Sequence, residues 1–156
     1  MKSELKMRSA RLEEAPALSE LCMLSKAYWG YDDAFMEACR EELTITQTDF
    51  DYSTIQIAER EGTLLGMAQL ELNGDVASLE KLFVHPEAMG LGVGRALFQW
   101  AADEARAQGA SFMTIEADPD AVPFYMRMGA KDDGQVPSGS IPRRVLPKLR
   151  FDLGAV

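Results

Sequence analysis

Histidine is almost missing from this chain. The sole imidazole in 156 residues, His85, cannot build a histidine-based metal site, and no carboxylate cluster replaces the absent ligands, so no metal is expected. Cysteine is scarce too. Cys22 and Cys39 lie in stretches of helical periodicity without CxxC spacing, and Met1 to Glu4 lead into mixed polar sequence rather than a secretory leader. Reduced thiols and a cytoplasmic location are expected. No apolar run approaches the ~20 residues of a membrane span, which argues against a membrane partner. Basic charge is also short: 16 lysines and arginines stand against 25 acidic residues. The resulting net charge of -9 would repel a phosphate backbone, so nucleic acid is not an expected partner. The imbalance suits an amine-bearing ligand, although it also serves solubility alone. Without an internal repeat or linker, residues 1–156 read as a single domain. Monomer and homodimer both stay open.

What is present alternates between two periods. Leu5 to Arg8 reads as a strand, and Glu13-Glu14 opens a helical stretch with Pro16 in its first turns and Leu18, Leu21, Cys22 and Ser25 on one face. From Asp32 a second helical pattern carries Phe35, Met36 and Cys39 toward Leu43, and the polar run Thr44 to Ser53 is expected to be loop. Strands follow at Thr54 to Ala58 and Leu64 to Leu72, separated by Glu61-Gly62. Asn73-Gly74-Asp75 is a hairpin signal whose central residues call for positive φ, so Val76 to Val84 is predicted to return antiparallel.

Val93, Leu97, Trp100 and Ala101 then mark one helical face, stopped by Gly109, and Phe112 to Ala117 reads as a strand parallel to the one before it. A short helix with Ala121, Phe124, Tyr125 and Met128 on one face is predicted to start from Asp120 as N-cap and to end at Gly129. Two closing strands, Ala130 to Gln135 and Arg144 to Phe151, flank the loop Val136 to Pro142. The fold class is α+β, a central mixed sheet antiparallel in its first half, with a parallel pair later and about four flanking helices.

Gly90-Leu91-Gly92-Val93-Gly94 lies between a strand and a helix, where missing side chains let a ligand reach main-chain amides that no helical carbonyl can satisfy. Phosphate oxygens suit those donors and the positive end of the helix dipole. A merely tight turn explains the glycines equally well at this point. A P-loop is excluded because Arg95-Ala96 stand where lysine and a hydroxyl residue are required. A dinucleotide fold would need GxGxxG directly after the strand. Glu116 and Asp118 do lie at the distance of a ribose-binding acid, yet the antiparallel meander before them argues against that fold.

The run Leu82-Phe83-Val84-His85-Pro86-Glu87-Ala88-Met89-Gly90-Leu91-Gly92-Val93-Gly94-Arg95-Ala96-Leu97 resembles the acyl-CoA-binding motif of the GNAT superfamily of N-acetyltransferases. That motif has valine, a free position and proline, then arginine or glutamine, two free positions, glycine, a free position, and glycine or alanine. A second run, Asp118-Pro119-Asp120-Ala121-Val122-Pro123-Phe124-Tyr125-Met126-Arg127-Met128-Gly129-Ala130, is similar to the family's later motif at the same offsets. Met89 stands in place of the usual arginine or glutamine, Asp118 in place of asparagine, and Ala130 in place of phenylalanine. The ending Pro137 to Pro142 resembles an uncharacterised bacterial subgroup and brings no acceptor with it.

The resemblance implies acetyl-CoA as cosubstrate and direct attack on its thioester, within a ternary complex, by a primary amine of a small molecule or peptide. It implies that Leu82, Phe83, Val84, Met89, Gly90, Leu91, Gly92, Val93, Gly94, Arg95 and Tyr125 bind the cofactor, with the Leu82 amide as oxyanion donor. Tyr125 matches the tyrosine that returns a proton to the thiolate, and Glu80 the position that often carries the base. Glu80, two residues before Leu82, is expected to share its strand face. Each also reads as an ordinary residue, Tyr125 as packed aromatic and Glu80 as solvated carboxylate. His85 is set aside as a base because it occupies the free position of a turn. Trp29 and Tyr31, with Asp32, are candidates to line the acceptor side, or simply pack where two helices meet. Arg143, Arg144, Lys148 and Arg150 could meet the nucleotide 3′-phosphate or form a charged strand edge. A non-catalytic acyl-CoA sensor is the alternative function, and a nucleotide-binding oxidoreductase the third.

Overall fold

A computed structural model describes residues 4–154, so the first three residues of the N-terminal reading and the last two of the 1–156 span lie outside it. Seven strands form one sheet in the order β1-β2-β3-β4-β5-β7-β6. They are β1 (Lys6–Ser9), β2 (Thr54–Arg60), β3 (Thr63–Asn73), β4 (Val76–Val84), β5 (Phe112–Glu116), β6 (Lys131–Pro137) and β7 (Val145–Asp152). Five α-helices accompany them: α1 (Ala15–Ala27), α2 (Asp33–Leu43), α3 (Gln47–Tyr52), α4 (Val93–Ala107) and α5 (Val122–Arg127). The mixed sheet is as expected, antiparallel from β1 to β4 and parallel between β4 and β5. None of the helices is long and apolar enough to cross a membrane among the described residues.

The sheet separates two cores. On one face α4 buries Val93, Leu97, Phe98, Ala101, Ala102 and Ala105 against Ala68, Leu70, Ala77 and Leu79. Full burial of side chains such as Leu97 and Phe98 contributes about 1.5–3 kcal/mol each. On the other face Leu18, Leu21 and Cys22 of α1 and Cys39 and Leu43 of α2 pack on Ile55, Ile57 and Met67. Both cysteines are free thiols in this second core, and burial pushes the Cys22 thiol up to about 12.

Gly66 in β3 lets α4 lie this close. A Cβ there would stand 2.8 Å from Val93 Cγ1, 2.9 Å from Leu97 Cδ1 and 3.0 Å from the Phe83 carbonyl oxygen. Since Val93 and Leu97 are themselves buried, Gly66→Ala is expected to destabilise the fold by about 1–3 kcal/mol, read from the urea midpoint. An unchanged midpoint would show that α4 can shift without cost.

Three expectations change, and the two closing strands, for which no order was expected, take one. Thr44 to Ser53 is not all loop, because it contains α3. This six-residue polar helix has no amphipathic period and is held by its ends: the Thr46 amide donates to the Asp49 carboxylate at 2.8 Å and the Ser53 hydroxyl to the Asp49 carbonyl. Asp120 does not cap α5: Asp118 caps a preceding 3-10 turn, Pro119–Ala121, its Oδ1 accepting from the Asp120 amide at 2.9 Å, and α5 itself starts from Ala121 without a side-chain cap. In the Asn73-Gly74-Asp75 hairpin only Gly74 has positive φ, whereas Glu61 and Gly62 both do. The type I′ geometry that twist favours therefore belongs to the β2–β3 turn. Finally, β7 inserts between β5 and β6, antiparallel to both.

Candidate active site

The cleft begins where a parallel pair stops. β4 and β5 are paired only from Val76 with Phe112 to Leu79 with Ile115. Beyond that point β4 continues to Val84, while β5 ends at Glu116 and the Ala117 amide turns to the Pro147 carbonyl at 2.9 Å. The two strands splay, leaving the β5-facing edge of Glu80 to Val84 without a strand partner. A cleft of about 1230 Å³ opens there, lined among others by Glu80, Leu82, Phe83, Val84 and Tyr125.

Register shifts at Glu80. Leu70 pairs with Leu79 and Gln69 with Lys81, so Glu80 is an extra, bulged residue. The bulge resets the alternation: Leu79 and Leu82 pack toward the α4 core although three residues apart, and Phe83 packs toward α1. Glu80 therefore does not share the face of Leu82, as a regular strand would require. It turns instead to Ser78 and Glu71, on the α1 side. Although the residue as a whole is exposed, partial burial of its carboxyl is the main cause that raises its pKa above the ordinary value, opposed by the Ser78 hydroxyl and assisted by Glu71. The neighbouring Lys81 ammonium donates to Gln69 at 3.3 Å, and Gln69, 4% exposed, donates to Asp49 at 3.0 Å and Ser53 at 2.9 Å, tying β4 to α3 beside the bulge.

At the other end of β4, Gly90 and Gly92 both have φ of +83°, and a Cβ on either would meet open space. Backbone conformation alone asks for glycine there. Gly94 differs, since a Cβ would stand 3.3 Å from the Phe124 ring. The first amide of α4 with an internal acceptor is that of Ala96, bonded to the Gly92 carbonyl at 3.0 Å, which leaves the amides of Val93, Gly94 and Arg95 open at the helix start. This arrangement fits a diphosphate. Leu91 does not join it: its amide bonds the Ala88 carbonyl at 3.3 Å and its side chain, 51% exposed, is outside the cleft lining. Met89 does line the cleft.

Tyr125 is fixed from below by the end of α5. Gly129, at φ +106°, lets the Ala130 amide reach the Tyr125 carbonyl at 3.0 Å and its own amide reach Met126 at 3.0 Å, closing the helix. The ring packs against Phe98 and Phe124, and its hydroxyl has no hydrogen-bond partner among the described residues. Burial, and then the Asp118 charge, raise the phenol's pKa, so it stays protonated throughout the neutral range.

Trp29, 42% exposed, lines the cleft. Tyr31 stands behind that lining and donates from its hydroxyl to Asp118 Oδ2 at 2.7 Å while accepting from Arg144 Nη2 at 3.0 Å. Lys26 reaches the same Oδ2 at 3.0 Å. Burial works against the Asp118 charge, yet the bonds from Tyr31, the Asp120 amide and Lys26 outweigh it and hold its pKa below the ordinary value. Among the basic residues weighed for the nucleotide phosphate, Arg144 lies here beside Tyr31 and Asp118, Lys148 pairs with Asp133 at 3.7 Å, and Arg150 pairs with Asp152 at 2.8 Å and stacks on Phe112. His85 accepts from the Glu87 amide at 3.1 Å within its turn. Sequence reading missed Lys26 in the lining, whereas Glu42, Ser138 and Ser140 lie in the 28–53 region and the 136–142 loop that were expected to set substrate choice, though none was singled out. The loop carrying the serines docks on α2, with Ser140 Oγ 3.6 Å from Cys39 Sγ, and no spacing rule pairs residues so far apart in the chain.

Residues 21–130 match the acetyltransferase (GNAT) family. A curated relative, an "IAA acetyltransferase" of Azospirillum brasilense, is 31% identical over 83 residues, 50% of this chain and 54% of that protein. The chain spans about half the length of the curated relatives it matches. Among solved structures, a GNAT-related protein of Rhodopseudomonas palustris gives a TM-score of 0.80 at 22% identity, covering 97% of this chain and 98% of that one. A paiA N-acetyltransferase of Thermoplasma acidophilum, solved with coenzyme A, gives 0.77 at 18% identity over 96% and 99%. The likeness to these structures is one of fold. The family match, by contrast, spans the bulged strand, the glycine turn and Tyr125 together, and on it the chain belongs to the GNAT family of acetyltransferases.

Proposed function

We infer that the chain is a cytoplasmic N-acetyltransferase that moves the acetyl group of acetyl-CoA to a primary amine of a small molecule or peptide within a ternary complex. The splay between β4 and β5, with open amides at the start of α4, carries this reading. Acetyl-CoA supplies the activated acyl carbon as a thioester. The amides of Val93, Gly94 and Arg95, aided by the helix dipole, hold its diphosphate, with Gly90, Gly92 and Met89 shaping the approach. The free edge of Leu82 to Val84 pairs with the pantetheine arm, and the Leu82 amide faces the acyl oxygen, where a fixed donor is most effective.

The amine arrives protonated from the α1 side and gives its proton to Glu80, directly or through water, before it attacks the acyl carbon. The C–N bond forms as the C–S bond breaks, Tyr125 donates its phenolic proton to the sulfur, and the proton that the amide nitrogen then loses returns to the phenolate through water. Trp29 borders the acceptor, while Tyr31 holds the wall behind it.

Thiol release from acetyl-CoA over a panel of primary amines, with calorimetry of CoA binding, tests the assignment. Turnover of at least one amine is expected. CoA binding without release across the panel would favour a sensor, and no CoA binding at all would remove the reading. Glu80→Gln is expected to lower kcat by about 10²-fold, the lower end for acid–base catalysis because water reaches this carboxyl. Its ionised form is the active one, so kcat at saturating amine should rise with pH through a value above the ordinary 4.5. That limb should vanish in the variant; its persistence would assign the base elsewhere.

A further inference from the structure

Two cations share one carboxylate at the acceptor side of the cleft. Lys26 Nζ and Arg144 Nη2 lie 3.0 and 3.6 Å from the same oxygen, Asp118 Oδ2, which also accepts from Tyr31 at 2.7 Å. The remaining oxygen, Oδ1, accepts from the Asp120 amide. Asp118 is therefore fully engaged, while the cations are not: the Lys26 ammonium makes one hydrogen bond and the Arg144 guanidinium one, to Tyr31, among the described residues. An ammonium has three donors and a guanidinium five. The side chains of Lys26, Asp118 and Arg144 are only 14%, 13% and 18% exposed, yet none of the unpartnered Arg144 nitrogens is closed off from solvent, so spare donors remain open to a ligand.

These three groups by themselves carry one positive charge in excess, on a protein whose net charge is -9. Like charges held together raise the free energy of the site, and the fold enforces their proximity. Tyr31 and Phe35 stack at 4.0 Å, and this pair receives Lys26 Nζ at 5.4 and 5.9 Å and the Arg144 guanidinium carbon at 5.4 and 4.9 Å from its two rings. Aromatic faces hold cations without neutralising them.

Both cations line the same cleft as Glu80. Lys26 is on α1, and α1 packs on the sheet face opposite α4, the helix whose start forms the diphosphate cradle. We propose that Lys26 and Arg144 bind a carboxylate of the acceptor, so that the acceptor class is a zwitterionic amino acid whose ammonium faces Glu80. Resting on the acetyl-transfer reading, the assignment adds a second point of recognition. A carboxylate at this position accepts charge-assisted hydrogen bonds from both cations and removes their excess charge, and Trp29, Leu43 and Leu146 give the same cleft apolar surface for a side chain beside the polar Glu42, Ser138 and Ser140.

Calorimetry on the CoA-loaded protein tests it with product-like probes: the N-acetyl forms of leucine, phenylalanine, serine and glutamate, with N-acetyl-isopentylamine and N-acetyl-phenethylamine as partners lacking the carboxylate. At least one N-acetyl amino acid is expected to bind about tenfold or more tighter than the uncharged amides, the worth of a hydrogen bond to a charged group. Lys26→Gln and Arg144→Gln should each erase that preference with CoA affinity kept, which also reports that the variants fold. Equal binding of acids and amides, or binding of neither, overturns the proposal. So does a preference that survives both substitutions, or a loss of CoA affinity matching a 3′-phosphate contact. The wild-type comparison decides the matter even if a variant does not fold. Thiol release with amines but no preference for the carboxylate would leave acetyl transfer standing and remove only this acceptor class. Carboxylate-dependent binding without thiol release from acetyl-CoA in the presence of any amino acid would leave Lys26 and Arg144 as a carboxylate site and overturn both acetyl transfer and the acceptor assignment.

Discussion

Tyr125→Phe is expected to lower kcat by about 10² to 10⁴-fold, the range of a lost general acid, while leaving the thermal midpoint nearly unchanged. The two effects separate because of where the hydroxyl lies. The ring is packed among Phe98 and Phe124 at 6% exposure, so phenylalanine keeps the contacts, and no hydrogen bond to a described residue is lost with the oxygen. Little water reaches this point to replace the proton donor, in contrast to Glu80 at the mouth. With its pKa raised, the phenol should impose no acidic or neutral limb on the rate profile. A variant that releases thiol at the parent rate would make Tyr125 a packing residue only.

Asp118→Ala is expected to cost about 3 kcal/mol of stability, the lower end for breaking a buried ion pair, because Lys26 and Arg144 would be left facing each other with little solvent. It also removes the cap on the Asp120 amide. Asp118→Asn, which restores the family's usual residue, keeps an acceptor for Tyr31 and for that amide while losing the charge, and should fall between. The acid dependence follows from the depressed pKa. The contribution of Asp118 is present above the ordinary value of 3.8 and is lost as pH falls through its lower folded-state value. Wild type and Asp118→Ala should therefore converge in stability toward low pH, in denaturant titrations at stepped pH. An alanine variant within about 0.5 kcal/mol of wild type at neutral pH would show that the cations do not depend on this carboxylate.

The predicted cores follow directly from periodicity. Leu18, Leu21, Cys22 and Ser25 are buried as one face of α1, and Val93, Leu97 and Ala101 as one face of α4, because a 3.6-residue period leaves few other ways to remove those side chains from water. Trp100 is only half-buried, and Phe98, Ala102 and Ala105 widen the stripe. The capped polar helix α3 escaped the same reasoning, since its stability comes from hydrogen bonds at its ends rather than from a pattern along it.

By itself the amino-acid order determined the strand–glycine–helix unit and the place of Tyr125 after it, since turn conformation, open helix-end amides and a short amphipathic helix are local properties that a few neighbouring residues impose. Only the tertiary structure decided that β4 bulges at Glu80 and turns the carboxyl to the α1 side, that β7 slips between β5 and β6, and that Lys26, Tyr31 and Arg144 meet at Asp118. Those outcomes depend on register and on packing between segments remote in sequence. A one-residue shift of strand pairing reverses every side chain beyond it, and no local pattern records where the shift falls.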